Sequence, residues 1–142
     1  ISAGGHLSLL YSYAFDARRQ VKLVATIVGP TNLSDGFYTN NLLFQSILTS
    51  YLGQPYASNP ALHVQASPAF RISSSAPPTY MAYGGMDPLV PVSNPVLLEQ
   101  KLQQAKVPVK YDLYANETHE FSSSATSATI TSLVQFWRQH VR

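Results

Sequence analysis

Short apolar runs alternate with helical periodicities along this chain. Leu7, Leu10, Tyr11 and Ala14 recur three to four residues apart, which predicts an amphipathic helix running from Ser2 to about Asp16. The stretch VKLVATIVG, Val21 to Gly29, is almost continuously apolar, rich in valine and isoleucine, and closed by Gly29-Pro30. A strand buried on both faces reads this way. Residues 31–75 are less regular, polar at the edges and aromatic within, as in a cap over a pocket or a long crossover. Inside that segment Leu43, Phe44, Ile47, Leu48 and Tyr51 form a helical face closed by Gly53, and Asn59-Pro60 opens a shorter helix. A strand is predicted from Thr79 to Tyr83, then a helix from Ser93 to Ala105 with serine as its cap, then a strand from Val109 to Tyr114. Ile130, Leu133, Val134, Trp137 and Val141 fall on one stripe of a final helix. Helices between apolar strands predict an α/β fold with a parallel sheet of about three strands.

Composition narrows the function classes. At 142 residues and 45% hydrophobic, the chain can bury a core and is too apolar for disorder. The net charge of +2 is scattered, with no basic stripe interleaved with aromatics, so a nucleic-acid partner is not expected. No apolar run is long enough to span a bilayer. The absence of cysteine removes disulfides, thiolate metal sites and a cysteine nucleophile together, and leaves the compartment open.

In a parallel α/β sheet the chemistry gathers at the carboxyl ends of the strands. Two stretches fall there: GGMDPLVP, carrying Asp87 just beyond the double glycine, and the polar loop ANETHEFSS, carrying His119. The chain opens ISAGGHLSLL, where Ser2 followed by Ala3, Gly4 and Gly5 reads as the latter part of a G-x-S-x-G turn. Such a turn joins a strand to a helix so sharply that only small neighbours fit. Serine, aspartate and histidine therefore occur in the order of an α/β-hydrolase triad. A serine hydroxyl attacks only when an imidazole takes its proton, and a carboxylate fixes the tautomer of that imidazole.

Each residue also has a plainer use. Ser2 serves equally as a helix N-cap, and Asp87 before Pro88 as a turn residue. His119 competes with His6, which follows the turn and is expected to pack beneath it, with His63 in the irregular segment, and with His140 on the last helix. Asp35, after the first strand, is the rival acid.

ISAGGHLSLL, GGMDPLVPVSNPVLLEQKLQQAKVPVKYDLY and THEF together resemble the carboxylesterase and lipase branch of the α/β-hydrolase superfamily. The resemblance runs through essentially the whole chain and corresponds to the C-terminal half of the family's domain. It implies one partial domain, residues 1–142, with three parallel strands and flanking helices. It also implies Ser2 as nucleophile, Asp87 as acid within a G-x-x-D-x-x-V pattern, and His119 as base. Asn-Glu-Thr precedes His119 where relatives commonly carry glycines.

The implied reaction is hydrolysis of a small carboxylic ester through an acyl-enzyme, with no metal or cofactor. A peptidase or amidase of the same superfamily, or a silent binding module, shares these residues. The backbone N–H of Ala3 is the expected oxyanion donor, and a second is expected upstream of Ile1. Phe37, Tyr38, Phe44 and Tyr51 are candidates for the wall of a substrate pocket. The Val21 to Gly29 strand, written for a central place in a sheet, is expected to meet either the upstream half of the fold or a second copy.

Overall fold

A computed structural model of the chain describes residues 1–141. Three strands, β1 (Val24–Ile27), β2 (Thr79–Gly84) and β3 (Val109–Tyr114), pair in the order β1-β2-β3, all parallel. Helix α1 (Ser2–Leu10) precedes β1, and three short helices, α2 (Gly36–Thr39), α3 (Leu42–Leu52) and α4 (Pro60–Gln65), fill the long excursion after it. Helices α5 (Ser93–Gln104) and α6 (Ser123–His140) follow β2 and β3. The expected α/β architecture with three parallel strands is the one found.

Strand β2 is central, and all six of its residues are buried. Its alternation divides the core: Met81 and Tyr83 point to the face covered by α1 and α5, where Leu9, Leu98 and Leu102 meet them, while Tyr80 and Ala82 face α6 through Phe136. Close approach of α1 to β1 depends on glycine. A Cβ on Gly5 would strike the Thr26 side chain, and one on Gly29 would strike Thr26 and the backbone of α1. Helix α3 ends on Gly53 in the left-handed region, φ 79°, and Asn59 caps α4 through Leu62 N–H at 3.1 Å, both as the sequence suggests.

Four details differ from the expected elements. The first strand covers four residues, not nine. At its start Val21 N–H donates to the Asp16 carboxylate at 2.7 Å, and at its end Val28 turns out of the extended region at φ 51°. The first helix changes to a π-helical turn over Tyr11–Phe15 before Asp16. Ser93 does not cap α5; it lies inside the first turn and donates to Asp35 Oδ2 at 2.7 Å. On α6 the buried side is Ala125, Thr129 and Phe136, whereas Ile130 and Trp137 of the predicted stripe are each 55% exposed.

Candidate active site

Ser2 opens α1 with φ 49°, a conformation that costs a non-glycine residue energy and holds its side chain up from the helix. Sharp strand-to-helix turns that present a nucleophile have this strain. The N–H groups at the start of α1 have no carbonyl behind them within the helix, and that of Ala3, next to the serine, is among them. Ala3 itself is exposed.

The other two residues arrive from the loops after β2 and β3. Asp87 turns beyond Gly84-Gly85, and its Oδ1 accepts the N–H groups of Leu89 at 2.8 Å and Val90 at 3.0 Å. This fixes the carboxylate and leaves Oδ2 facing His119. Nδ1 of His119 donates to Asp87 Oδ2 at 2.8 Å, so the proton sits on Nδ1 and the Nε2 lone pair is free. Ser2 Oγ lies 2.9 Å from Nε2, in position to donate to it. The Asp87 side chain has no exposed surface and that of His119 is 18% exposed, so the pair is shielded while the imidazole remains reachable.

Two loops hold this arrangement together. Gly85 N–H donates to Tyr114 O at 2.8 Å and Met86 N–H to Glu117 O at 2.9 Å. These bonds require the glycines: a Cβ on Gly84 would run into the carbonyls of Glu117 and Thr118, and one on Gly85 into the Ala115 backbone. Neither glycine has a positive φ, so the requirement is for space. The Glu117 carboxylate accepts from the backbone N–H of Ser122 at 2.6 Å and from its hydroxyl at 2.7 Å, and these bonds hold it below the usual carboxylate range. The Asn-Glu-Thr stretch before His119 thus folds back on the start of α6.

The remaining candidates lie elsewhere. Asp35 caps α2 through Phe37 N–H at 2.9 Å and accepts from Ser93 and Asn94, with no bond to His119. His6 is buried, donates from Nδ1 to the Pro30 carbonyl at 3.0 Å, and is held neutral-leaning by burial, which lowers its pKa. His63 is buried against Tyr56, and His140 rests on Phe136. Phe37, Tyr38 and Phe44 pack on one another, and Tyr51 meets His6 edge-on. None of these four borders the cavity of about 330 Å³ beside Ser2, which is lined by Ile1, Ile27, His119, Glu120, Phe121 and Thr129 among others. Tyr38 nevertheless lies near the acids: burial, with the charges of Asp35 and Asp87 adding, pushes its phenol well up. Apart from Ser2 and His119, the cavity residues escape sequence reasoning because they come from four separate segments: Ile1 ahead of α1, Ile27 in β1, the loop after β3, and α6.

Among the described residues no three His, Asp or Glu side chains gather as a metal site would require, and no helix is long and apolar enough to cross a membrane.

The BD-FAE family model matches residues 1–102. The chain is 26% identical to Esterase LipQ of Mycobacterium tuberculosis over 88% of its length and 32% of that protein's. It is 29% identical to the Probable carboxylic ester hydrolase LipM of the same organism, over 95% of its length and 35% of that protein's. The chain thus spans about a third of the length of the curated relatives it matches. Among solved structures, a thermophilic esterase of Thermogutta terrifontis superposes with a TM-score of 0.73 at 18% identity, covering 97% of this chain and 53% of that one. A puromycin-hydrolyzing peptidase of Mycobacterium tuberculosis superposes with a TM-score of 0.79 at 22% identity, covering 99% and 21%.

Proposed function

The chain belongs to the BD-FAE family and has the architecture of the C-terminal half of an α/β-hydrolase esterase, and from that premise we propose that it carries the reacting groups of a serine ester hydrolase. The hydrogen-bonded run from Ser2 Oγ through His119 to Asp87 carries the reading. His119 Nε2 takes the serine proton as Oγ forms a bond to the ester carbonyl carbon. The imidazolium is stabilised by Asp87. The tetrahedral oxyanion is met by the Ala3 N–H, and collapse breaks the C–O bond while His119 returns its proton to the leaving alcohol. Water, deprotonated by the same nitrogen, then releases the carboxylic acid and restores Ser2.

One oxyanion donor is weak support, since losing a donor costs about two to three orders of magnitude in rate. Ester rather than amide cleavage is favoured by the relatives named as esterases, although a peptidase shares the fold. Incubation with a neutral fluorophosphonate is expected to add one phosphonyl group, on Ser2, and Ser2→Ala to abolish the adduct. A chain that does not label is a silent module, and an anilide cleaved faster than its matched ester makes this a peptidase.

The free edge of β1 fits further strands of the same fold. Among the described residues only β2 pairs with β1, and Leu23 and Ala25 line an open depression of about 360 Å³ with Leu133 and the half-exposed Trp137. Apolar edges left open pair with other chains. Residues 1–142 alone are expected to elute as dimers or larger species in size-exclusion chromatography with light scattering; a monodisperse monomer contradicts this.

A further inference from the structure

Charge is divided along the axis of the sheet. Of the nine Lys and Arg, the eight among the described residues lie toward the amino ends of the strands, in the segments leading into β1, β2 and β3, at the start of β3, and in the last turns of α5 and α6. At the opposite end, where Ser2 stands, the charged side chains of Asp, Glu, Lys and Arg among the described residues are carboxylates: Asp35, Asp87, Glu117 and Glu120, all in loops that follow strands. Three of them are engaged. Asp87 is bonded to His119, Asp35 to Ser93 and Asn94, and Glu117 to Ser122. The fourth is different. The carboxylate of Glu120 has no hydrogen-bond or ion-pair partner among the described residues, Glu120 is exposed, and it borders the same cavity as Ser2 and His119. The other side chains of that wall carry no charge: Ile1, Ile27 and Phe121 are apolar, and Thr126 and Thr129 bring hydroxyls.

We propose that Glu120 sets the charge preference of the site, admitting esters that are neutral or cationic near the scissile bond and rejecting anionic ones. This rests on Ser2 being the nucleophile. Glu120 lines the same cavity as Ser2, so its carboxylate acts through a partly apolar space, where a charge is screened less than in bulk water. A like charge on the substrate is disfavoured by about three- to thirtyfold there, and an opposite charge favoured by a similar factor. The carboxylate product is repelled in the same way once it leaves Ser2. The acyl or alcohol part can be apolar, because Ile1, Ile27 and Phe121 line the same cavity.

Three p-nitrophenyl methylphosphonates of matched shape test this, bearing 3,3-dimethylbutyl, 2-(trimethylammonio)ethyl or 2-sulfonatoethyl arms. Each forms a Ser2 Oγ–P bond and expels p-nitrophenolate. The protein is expected to label in the order cationic, neutral, anionic, with neutral over anionic between about three- and thirtyfold at low salt. The spread shrinks as salt rises, since the Debye length is about 10 Å at 0.1 M. Glu120→Gln is expected to bring the three rates within about twofold of one another, by loss of that Coulomb contribution. Glu120→Asp keeps the order and Glu120→Lys reverses it. An order unchanged by Glu120→Gln, or equal rates in the unmodified protein, overturns the assignment while leaving Ser2 as nucleophile. Absence of any Ser2-dependent adduct with all three reagents overturns the functional reading itself, and this inference with it.

Discussion

Ser2→Ala is expected to lower ester hydrolysis by about four to six orders of magnitude, Asp87→Asn by about four, and Asp35→Asn by less than tenfold. Ser2 carries the hydroxyl bonded to His119 Nε2, so removing it removes the atom that bonds to the substrate. Asp87→Asn keeps the shape of the loop, because an amide oxygen still accepts from Leu89 and Val90. The amide nitrogen, however, presents a donor to Nδ1. The imidazole answers with the tautomer that protonates Nε2, and a protonated Nε2 cannot accept from Ser2. Asp35 has the opposite profile. Its bonds cap α2 and tie that turn to the start of α5, and asparagine, an equally good cap, keeps the bond from Phe37 N–H, so this replacement is expected to loosen the excursion after β1 only slightly. Steady-state rates with a short-chain aryl ester, in the longest form of the protein that turns it over, check the set. A larger loss for Asp35→Asn than for Asp87→Asn, with folding intact, refutes the assignment of the acid.

The positions of Ser2, Asp87 and His119 were legible in local sequence: a small-residue turn before a helical period, a double glycine before an aspartate at the end of β2, and a polar loop between β3 and a strong helix. The bounds of β3 follow from the sequence for a similar reason, since Pro108 and the Tyr114-Ala115-Asn116 turn punctuate it. Periodicity failed where the partner decides the outcome. The stripe Ile130, Leu133, Val134, Trp137 and Val141 is real, but α6 lays Phe136, Thr129 and Ala125 on β2 and β3 and turns Trp137 toward the β1 edge. A 3.6-residue repeat says that a face is apolar, not which surface covers it. Ser93 shows the same limit at smaller scale. Its hydroxyl suits a cap by type, yet Ser93 lies inside the first turn, where its oxygen caps no N–H, and its hydrogen goes to Asp35, fifty-eight residues earlier. The cavity wall needs Ile27, Glu120 and Thr129 brought together from β1, a loop and α6, and no local pattern encodes that.

Gly84→Ala is expected to damage the site more than any other one-methyl change, although Gly84 touches no substrate. Strand β2 ends at Gly84, directly beneath the loop that carries His119, and the added methyl meets the carbonyls of Glu117 and Thr118. Those atoms are backbone and cannot swing aside as a side chain can. Relief requires the loop to rise, which stretches the bond from Met86 N–H to Glu117 O and moves His119 away from Asp87 and Ser2. Overpacking of this kind costs about 1–3 kcal/mol. A displacement near 1 Å at the reacting groups costs about a hundredfold in rate. Phosphonylation of Ser2 is therefore expected to slow about a hundredfold, with faster hydrogen exchange at the amides of Gly85 and Met86, while the far-ultraviolet circular dichroism persists. Gly4→Ala is the contrasting substitution. Its Cβ meets nothing within 4 Å, and alanine suits a helix better than glycine by about 0.5–1 kcal/mol, so the melting temperature should hold or rise. Equal exchange and labelling rates for Gly84→Ala and the unmodified protein would mean that the loop accommodates the methyl, and that the double glycine is not what seats His119.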